Sequence, residues 1–342
     1  MEQKEFNQLC FISESGSQIG YGHLYRSIAL AKEFLNKGYE VEFSVSDKIA
    51  EALVLQHLVK INFITFSSLE KNISKYRYVF LDVFKNSWVN YKDLILKNFS
   101  KTRFVSIIDF PFLEYAIQTD YIFSIGFQDY NFREEVIIGE SDKNIKILSG
   151  NDFFIFREEF SKVKLPEIRK EIENIFISMG GSDPQNLTSL VIKDLDKIKE
   201  KLHLDVILGA GYGEKRFNKL KKLLNDSHHS VKIHENISNI STLMMNSDLA
   251  IINGGNTRFE LALLGIPFIS IALNEKQKEI SDYSMRHGIG QSLGVYEHLH
   301  EDEIAEYVKN LSIDFEKRKN MSTRMKETIS ANGTKNIYSN LF

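Results

Sequence analysis

The chain has a single cysteine, Cys10, and no long apolar run, and each scarcity excludes a class of protein. One thiol cannot close an internal disulfide or supply a cysteine-rich metal site. The longest apolar stretches, such as residues 266–273, are far shorter than the ~20 residues that span a bilayer. The acidic start around Glu2 also lacks the basic-then-apolar order of a signal peptide. We therefore expect a cytoplasmic protein without stable membrane insertion.

The chain also lacks a strong charge bias. Its 43 Lys and Arg residues against 46 Asp and Glu residues give a formal net charge of −3 at pH 7. No basic cluster provides the electrostatic footprint of a nucleic-acid-binding surface, so a nucleic-acid partner is not expected. The 342 residues exceed what one hydrophobic core usually organises, which indicates two domains. Nothing in the composition indicates an oligomeric state.

Short apolar runs alternate with amphipathic segments along the whole sequence. Runs that are apolar at successive positions are typical of strands covered on both faces, as in parallel sheets. We predict two Rossmann-like, doubly wound α/β domains, residues 1–156 and 157–342, whose strand ends face a central cleft. The last helix is expected to pack back on the first domain. The predicted strands are Leu9–Ile12, Val41–Val45, Val79–Leu81, Phe104–Ile108, Tyr121–Ile125, Ile175–Met179, Leu204–Leu208, Val231–Ile233, Leu249–Ile252 and Phe268–Ala272.

A first motif, Ser17–Arg26, places Gly20 and Gly22 between a predicted strand and a predicted helix. A helix that begins here points its free N–H groups at whatever lies above the sheet, which favours an anionic ligand. His23 falls in the first turn, where the helix dipole favours a neutral imidazole that can accept a proton. A histidine at a helix start can also be a simple cap or packing residue. The pattern indicates a candidate base.

Two glycine turns, Met179–Thr188 and Asn253–Pro267, follow predicted strands in the second half. Paired glycines let a backbone approach a ligand closely, and exposed N–H groups bind phosphate. Glu260 lies in the first turn of the helix predicted after the second of these glycine turns. A carboxylate there can accept hydrogen bonds from ribose hydroxyls or remain solvated. The turns together indicate a nucleotide diphosphate held by backbone and hydroxyl groups, with no metal and no cofactor.

The motifs Gln18–His23, Met179–Asp183 and Gly254–Pro267 resemble those of a known family. They are similar to the UDP-sugar hydrolases of the pseudaminic acid pathway and to related spore-coat polysaccharide proteins, which share a GT-B-like fold with the MurG-type glycosyltransferases. The resemblance implies that His23 activates a water for inverting cleavage of a UDP-linked acetamido-deoxy sugar. The free sugar would enter nonulosonic acid or surface polysaccharide biosynthesis. The resemblance and the motifs together imply a set of substrate-binding residues. They are Gly20, Gly22, Arg26, Asp82, Gly181, Ser182, Asp183, Gly255, Asn256, Thr257, Glu260 and Gln277.

Several residues keep alternatives open. Asp82 ends a predicted strand and is a substrate ligand or a helix cap, and Arg26 contacts substrate or forms an inter-domain ion pair. Glu14 stands where the family often has aspartate and is expected to orient a substrate hydroxyl. Phe84 and Lys276 differ from the family pattern, which keeps a non-catalytic nucleotide-sugar-binding protein open. A glycosyltransferase with a UDP-sugar donor, in which His23 deprotonates an acceptor hydroxyl, is the other alternative.

Overall fold

A computed structural model of the chain describes residues 7–16, 21–59, 61–84, 87–98, 100–109, 119–125, 133–137, 144–160, 163, 165–209, 211–235, 237 and 239–342. The chain divides into two compact units. The first contains Met1–Glu158 together with Ala331–Phe342, and the second contains Glu159–Ser330. No helix in the described part of the chain combines the length and apolar character that crossing a membrane requires.

The first unit is built on an eight-stranded sheet. Its strands are β1 (Gln8–Ser13), β2 (Glu40–Val45), β3 (Asn62–Phe63), β4 (Tyr78–Asp82), β5 (Arg103–Asp109), β6 (Tyr121–Ile125), β7 (Arg133–Ile137) and β8 (Asn144–Gly150). Their order in the sheet is β3-β2-β1-β4-β5-β6-β8-β7. The neighbours pair in parallel except β7, which runs antiparallel to β8. Residues Leu9–Ile12 of β1 are at most 3% exposed, as expected for a strand covered on both faces.

Helices connect these strands and set the direction in which the sheet grows. They are α1 (Gly22–Asn36), α2 (Lys48–His57), α3 (Phe66–Asn72) and α4 (Trp88–Asn98). From β1 the chain proceeds outward through β2 and β3, and it then crosses back to β4 on the other side of β1. The point between β1 and β4 is a topological switch point, where open α/β sheets form a crevice beyond the strand ends. The loop after β1 and the loop after β4 meet there.

The second unit contains a six-stranded, wholly parallel sheet. Its strands are β9 (Asn174–Ser178), β10 (His203–Leu208), β11 (Ser230–Glu235), β12 (Leu249–Asn253), β13 (Phe268–Ala272) and β14 (Gln291–Val295). The order β11-β10-β9-β12-β13-β14 places a switch point between β9 and β12. Its helices are α5 (Leu187–Leu195), α6 (Glu214–Asp226), α7 (Ile240–Met245), α8 (Thr257–Leu264), α9 (Glu275–Arg286), α10 (Glu303–Ile313) and α11 (Phe315–Thr328).

The C-terminal helix, α12 (Gly333–Leu341), packs on the first unit. The Tyr78 hydroxyl donates to the carbonyl of Leu341 at 2.8 Å, and Ile337 is fully buried. A Cβ on Gly333 would lie 1.9 Å from the carbonyl oxygen of Phe154, so only glycine fits at this helix start. The aromatic side chain of Phe342 lies beneath the Arg77 guanidinium, 4.5 Å from ring centroid to Cζ.

All ten strands named in the sequence analysis are present. The apolar run Phe153–Phe156, which the sequence favours as a further buried strand, is buried but is not a strand. Phe153 ends a 3-10 turn, Asn151–Phe153, and residues 154–156 have no regular secondary structure. Four strands were not predicted, namely β3, β7, β8 and β14. β3 has only two residues, and β14 (Gln-Ser-Leu-Gly-Val) is too polar and too glycine-containing to show a strand pattern.

Candidate active site

His23 and Asp82 meet at the switch point of the first unit. His23 is the second residue of α1, and Asp82 is the last residue of β4. The imidazole Nδ1 lies 2.6 Å from the Asp82 Oδ1. The Arg26 Nη2, which can only donate, also lies 3.1 Å from Nδ1. The contact to the carboxylate is shorter, and an ionised carboxylate only accepts, so the geometry favours the hydrogen on Nδ1 and the lone pair on Nε2. This is the tautomer that a general base requires.

Asp82 is held by a buried network. The Arg26 Nε donates to Oδ2 at 2.6 Å, and the Arg26 Nη2 donates to Oδ1. The Ser27 hydroxyl donates to Oδ2 at 3.2 Å. Burial by itself raises the pKa of Asp82, but the Arg26 guanidinium and His23 outweigh it and lower this pKa to about 2. The carboxylate is therefore ionised throughout the neutral pH range.

The burial of this network bears on two residues that the sequence analysis placed in contact with substrate. Asp82 is 1% exposed and Arg26 is 5% exposed. Both carboxylate oxygens of Asp82 are bonded to protein groups. These two side chains hold the imidazole of His23 from within the unit, and their direct contact with substrate stays a prediction. Ser27, which the sequence analysis did not identify, is a further donor, and its position after Arg26 carries no signal of its own.

Glu14 connects the loop after β1 to the loop after β4. Its carboxylate accepts from the backbone N–H of Phe84 at 2.9 Å and from the Tyr91 hydroxyl at 3.3 Å. Burial and the nearby Glu14 raise the pKa of Tyr91. The Phe84 ring packs on the imidazole of His23, with centroids 4.3 Å apart. Glu14 therefore fixes the loop whose aromatic side chain covers one face of the candidate base.

The remaining residues of the first motif are less informative. Gly20 lies outside the described residues. Gly22 is the first residue of α1 and is exposed. A Cβ at this position would meet nothing within 4 Å, so the fold does not require glycine here.

In the second unit, Asn253 links the two glycine turns. Its side-chain Nδ2 donates to the carbonyl of Met179 at 3.4 Å, and its Oδ1 accepts from the N–H of Gly255 at 3.2 Å. Gly180 has φ +81°, and a Cβ there would lie 2.7 Å from this amide nitrogen. The turn after β9 therefore needs glycine both for its backbone conformation and for the approach of Asn253.

Asp183 is occupied by the helix that it precedes. Its carboxylate accepts from the N–H groups of Leu187 at 2.7 Å and Thr188 at 2.9 Å, and the residue is 2% exposed. Its side chain therefore caps the first N–H groups of α5, and its expected contact with substrate stays a prediction. Gly181 is exposed and Ser182 is half-buried.

The turn after β12 leads into α8. Asn256 is exposed, whereas Gly255, Thr257 and Glu260 are half-buried, so all four candidates are accessible in part. Gln277 lies in the first turn of α9, and its side-chain oxygen accepts from the N–H of Leu273 at 2.9 Å. This contact caps the loop after β13 and engages the Gln277 oxygen within the protein. The side chain of Lys276 lies outside the described structure.

One cluster in the described part of the chain has metal-ligand residue types, namely Asp196, His228 and His229. The Nδ1 of His229 accepts from the N–H of Leu202 at 3.2 Å, and its Nε2 lies 2.9 Å from the carbonyl oxygen of Leu195. Because Nδ1 carries the lone pair, Nε2 must carry the hydrogen and cannot ligate a cation. The cluster is therefore a structural hydrogen-bond network.

The second unit is similar to a known glycosyltransferase domain. Residues 174–337 match the glycosyltransferase family 28 C-terminal domain. The uncharacterized protein MJ1062 of Methanocaldococcus jannaschii is 29% identical over 307 residues, which cover 80% of this chain but only 57% of that protein. A Campylobacter jejuni protein, the UDP-2,4-diacetamido-2,4,6-trideoxy-beta-L-altropyranose hydrolase, is 24% identical over 288 residues, which cover 82% of this chain and 97% of that protein.

The fold itself has clear structural relatives. The crystal structure of Acinetobacter baumannii MurG matches 98% of this chain and 99% of that chain, with a TM-score of 0.66 and 13% sequence identity. Identity this low shows the fold alone. Together with the two sheets, which are parallel except for β7, the match confirms the predicted fold class: an α/β protein with two Rossmann-like units of the GT-B type.

Proposed function

We propose that the protein is a nucleotide-sugar hydrolase that cleaves the bond between the anomeric carbon of a sugar and UDP. The observation that carries the proposal is the 2.6 Å contact between His23 Nδ1 and the buried carboxylate of Asp82 at the switch point of the first unit. A histidine oriented by a buried carboxylate is a recurring arrangement for general-base catalysis.

The proposed reaction is a displacement at the anomeric carbon in which water replaces UDP. The lone pair of His23 Nε2 removes a proton from a water molecule, and the water oxygen forms a bond to the anomeric carbon. The bond from that carbon to the diphosphate oxygen breaks, and its electron pair leaves with UDP. Attack opposite the leaving group inverts the anomeric centre and gives a free sugar. The ionised Asp82 stabilises the imidazolium that forms during proton transfer.

The second unit supplies the groups that bind UDP. The accessible turn residues Gly181 and Ser182 provide backbone N–H and hydroxyl donors, and Thr257 begins α8. A helix N-terminus carries partial positive charge, which favours the diphosphate and its developing charge during bond cleavage. Glu260, in the first turn of α8, is the candidate partner of the ribose hydroxyls.

The named activity of the Campylobacter jejuni relative supports a UDP-linked acetamido-deoxy sugar as the substrate class. We place the reaction in the cytoplasm and in the supply of sugars for nonulosonic acid or surface polysaccharide biosynthesis. The match of residues 174–337 to a glycosyltransferase domain supports a second candidate, in which an acceptor hydroxyl replaces water as the nucleophile.

Measurement of UDP release from a panel of UDP-sugars, with and without added acceptor, tests the proposal. The hydrolase proposal predicts release without acceptor that is lost in His23→Ala. His228→Ala is the matched control, because this histidine side chain is 45% exposed and lies in the structural cluster, and it should retain full activity. Release only with an acceptor would support the transferase. Tight binding of UDP-sugars without turnover under either condition would refute both and leave a binding protein.

A further inference from the structure

Residues 209–213, Gly-Ala-Gly-Tyr-Gly, form a loop after β10 whose described residues pack on the glycine turn that follows β9. A Cβ on Gly209 would overlap the backbone of Gly181, so only glycine allows the two backbones to approach this closely. The N–H of Gly211 donates to the carbonyl of Gly181 at 2.8 Å. The loop 209–213 therefore supports, through its own backbone, the turn that the proposed function assigns to UDP.

The side chain of Arg216, in the first turn of α6, joins the same two segments. Its Nη1 donates to the carbonyl of Asp183, and its Nη2 donates to the carbonyl of Gly211 at 3.1 Å. The guanidinium lies over the Tyr212 ring, 4.9 Å from Cζ to the centroid, and the Tyr212 hydroxyl donates to Asn186 Oδ1 at 3.2 Å. A guanidinium presents its donors in a rigid fork that a lysine cannot reproduce. Arg216 thus fixes the turn and the loop relative to each other.

These contacts orient one N–H group of the turn. In a planar trans peptide, the N–H points in the direction opposite to the carbonyl. Because the carbonyl of Gly181 faces the N–H of Gly211, the N–H of Ser182 faces away from the loop 209–213. Gly181 is exposed and Ser182 is half-buried, so this peptide is accessible to a ligand. Its N–H is suited to a phosphate oxygen.

Arg216 also brings a positive charge to the turn. A guanidinium stays protonated across the physiological pH range, and this one is half-buried. Lys219, about one turn farther along α6, is exposed, so water and salt screen its charge more strongly. A bound diphosphate should therefore depend on Arg216 and be nearly indifferent to Lys219.

We propose that the loop 209–213 and Arg216 belong to the UDP site, where Arg216 is a positioning residue that holds the Ser182 N–H toward the diphosphate. The proposal rests on the proposed function for the identity of the ligand. Two backbone carbonyls engage the guanidinium, so Arg216 acts through the turn. The diphosphate, and not the uridine, should therefore depend on this side chain.

Binding of UDP and of uridine tests the assignment, because the two ligands differ only in the diphosphate. Calorimetric titration with UDP should give a Kd about tenfold higher for Arg216→Met, the effect of losing charge-assisted hydrogen bonds at the turn. Uridine affinity, measured by saturation-transfer NMR, should stay the same. Arg216→Lys keeps the charge but cannot donate to both carbonyls, so it should recover only part of the UDP affinity. Lys219→Met is the matched control, since it removes the same charge from the same helix, and it should bind UDP like the unmodified protein.

Unchanged UDP binding in Arg216→Met would overturn the assignment, and so would an equal loss of uridine binding, which would indicate a purely structural role. Full UDP affinity in Arg216→Lys, or a tenfold loss in Lys219→Met, would also overturn it. Binding of UDP that depends on Arg216, without UDP release from any UDP-sugar, would leave this assignment in place and refute the hydrolase. Release of UDP with a KM that Arg216→Met leaves unchanged would refute this assignment and leave the hydrolase in place. Failure of the unmodified protein to bind UDP would refute both.

Discussion

Replacing Asp82 by asparagine tests the buried network most directly. The substitution keeps the shape of the side chain and removes the charge that faces both His23 and Arg26. Because Arg26 is 5% exposed, its guanidinium would be left as a buried charge without its carboxylate. Removing one partner of a buried pair costs about 3 kcal/mol of unfolding free energy. For a unit of this size, that loss corresponds to a decrease in melting temperature of roughly 6 to 12 °C.

The same substitution is expected to impair catalysis by a separate route. The asparagine amide can present N–H groups to Nδ1 of His23, which would favour the tautomer with hydrogen on Nε2. The ring could then no longer accept a proton from water. In the serine-protease triad that serves as the worked example for this effect, the equivalent change lowers kcat by about 10⁴. Here we expect a loss of at least about 100-fold in kcat with little change in KM.

Thermal unfolding and the steady-state kinetics of UDP release measure both effects. Ser27→Ala is the matched control: it removes one 3.2 Å hydrogen bond to the same carboxylate without changing its charge. It should cost about 1 kcal/mol and leave kcat within a few fold of the unmodified protein. If Asp82→Asn retained near-normal kcat, or if Ser27→Ala reduced kcat as strongly, the positioning role assigned to Asp82 would be wrong.

Three further outcomes are expected. The pKa of Asp82 is about 2, against its ordinary value of 3.8, so the Asp82 carboxylate stabilises the fold fully above pH 3.8 and loses this contribution as the pH falls toward 2. Denaturant unfolding across this pH range should show the loss of stability, and the Asp82→Asn variant should not show it. Gly180→Ala should lower the melting temperature because of its φ of +81° and the 2.7 Å approach of Asn253, whereas Gly181→Ala, with nothing within 4 Å, should not; equal melting temperatures would contradict the strain argument. Deleting residues 331–342 removes the buried Ile337 and Leu341 and should destabilise the first unit by at least about 3 kcal/mol; unchanged unfolding of that unit would show that the helix is dispensable.

The parts of the fold that were predictable are those with local signals. Continuous apolar runs such as Leu249–Ile252 identified the buried parallel strands, and the glycine turns were identified by their position after strands. The short strand Asn62–Phe63 gave no signal, because two residues cannot show a period. The run Phe153–Phe156 was misassigned because burial under α12, rather than sheet pairing, explains its apolar character.

The candidate site was predictable only in its local members. His23 follows its glycine motif directly, so the sequence pointed to it. The roles of Asp82 and Asp183 depended on partners that no spacing reveals. Asp82 is 59 positions from His23 in the sequence, and the two side chains are in contact only because β4 pairs with β1. Asn253, 74 positions from Met179, meets the other glycine turn for the corresponding reason in the second sheet.

The contacts of two charged side chains near the glycine turns of the second unit predict the pH dependence of UDP-sugar binding. Asp183 accepts from α5, and Arg258 donates to the carbonyl of Gly255 at 3.2 Å. Binding of a diphosphate would then depend mainly on backbone dipoles, which do not titrate. A UDP-sugar is a diphosphate diester without a proton to lose near neutrality. We therefore expect KM for the UDP-sugar to stay flat between about pH 6 and 9. A KM that changed with pH across this range would place a titrating group in UDP binding and contradict the division of roles between the units.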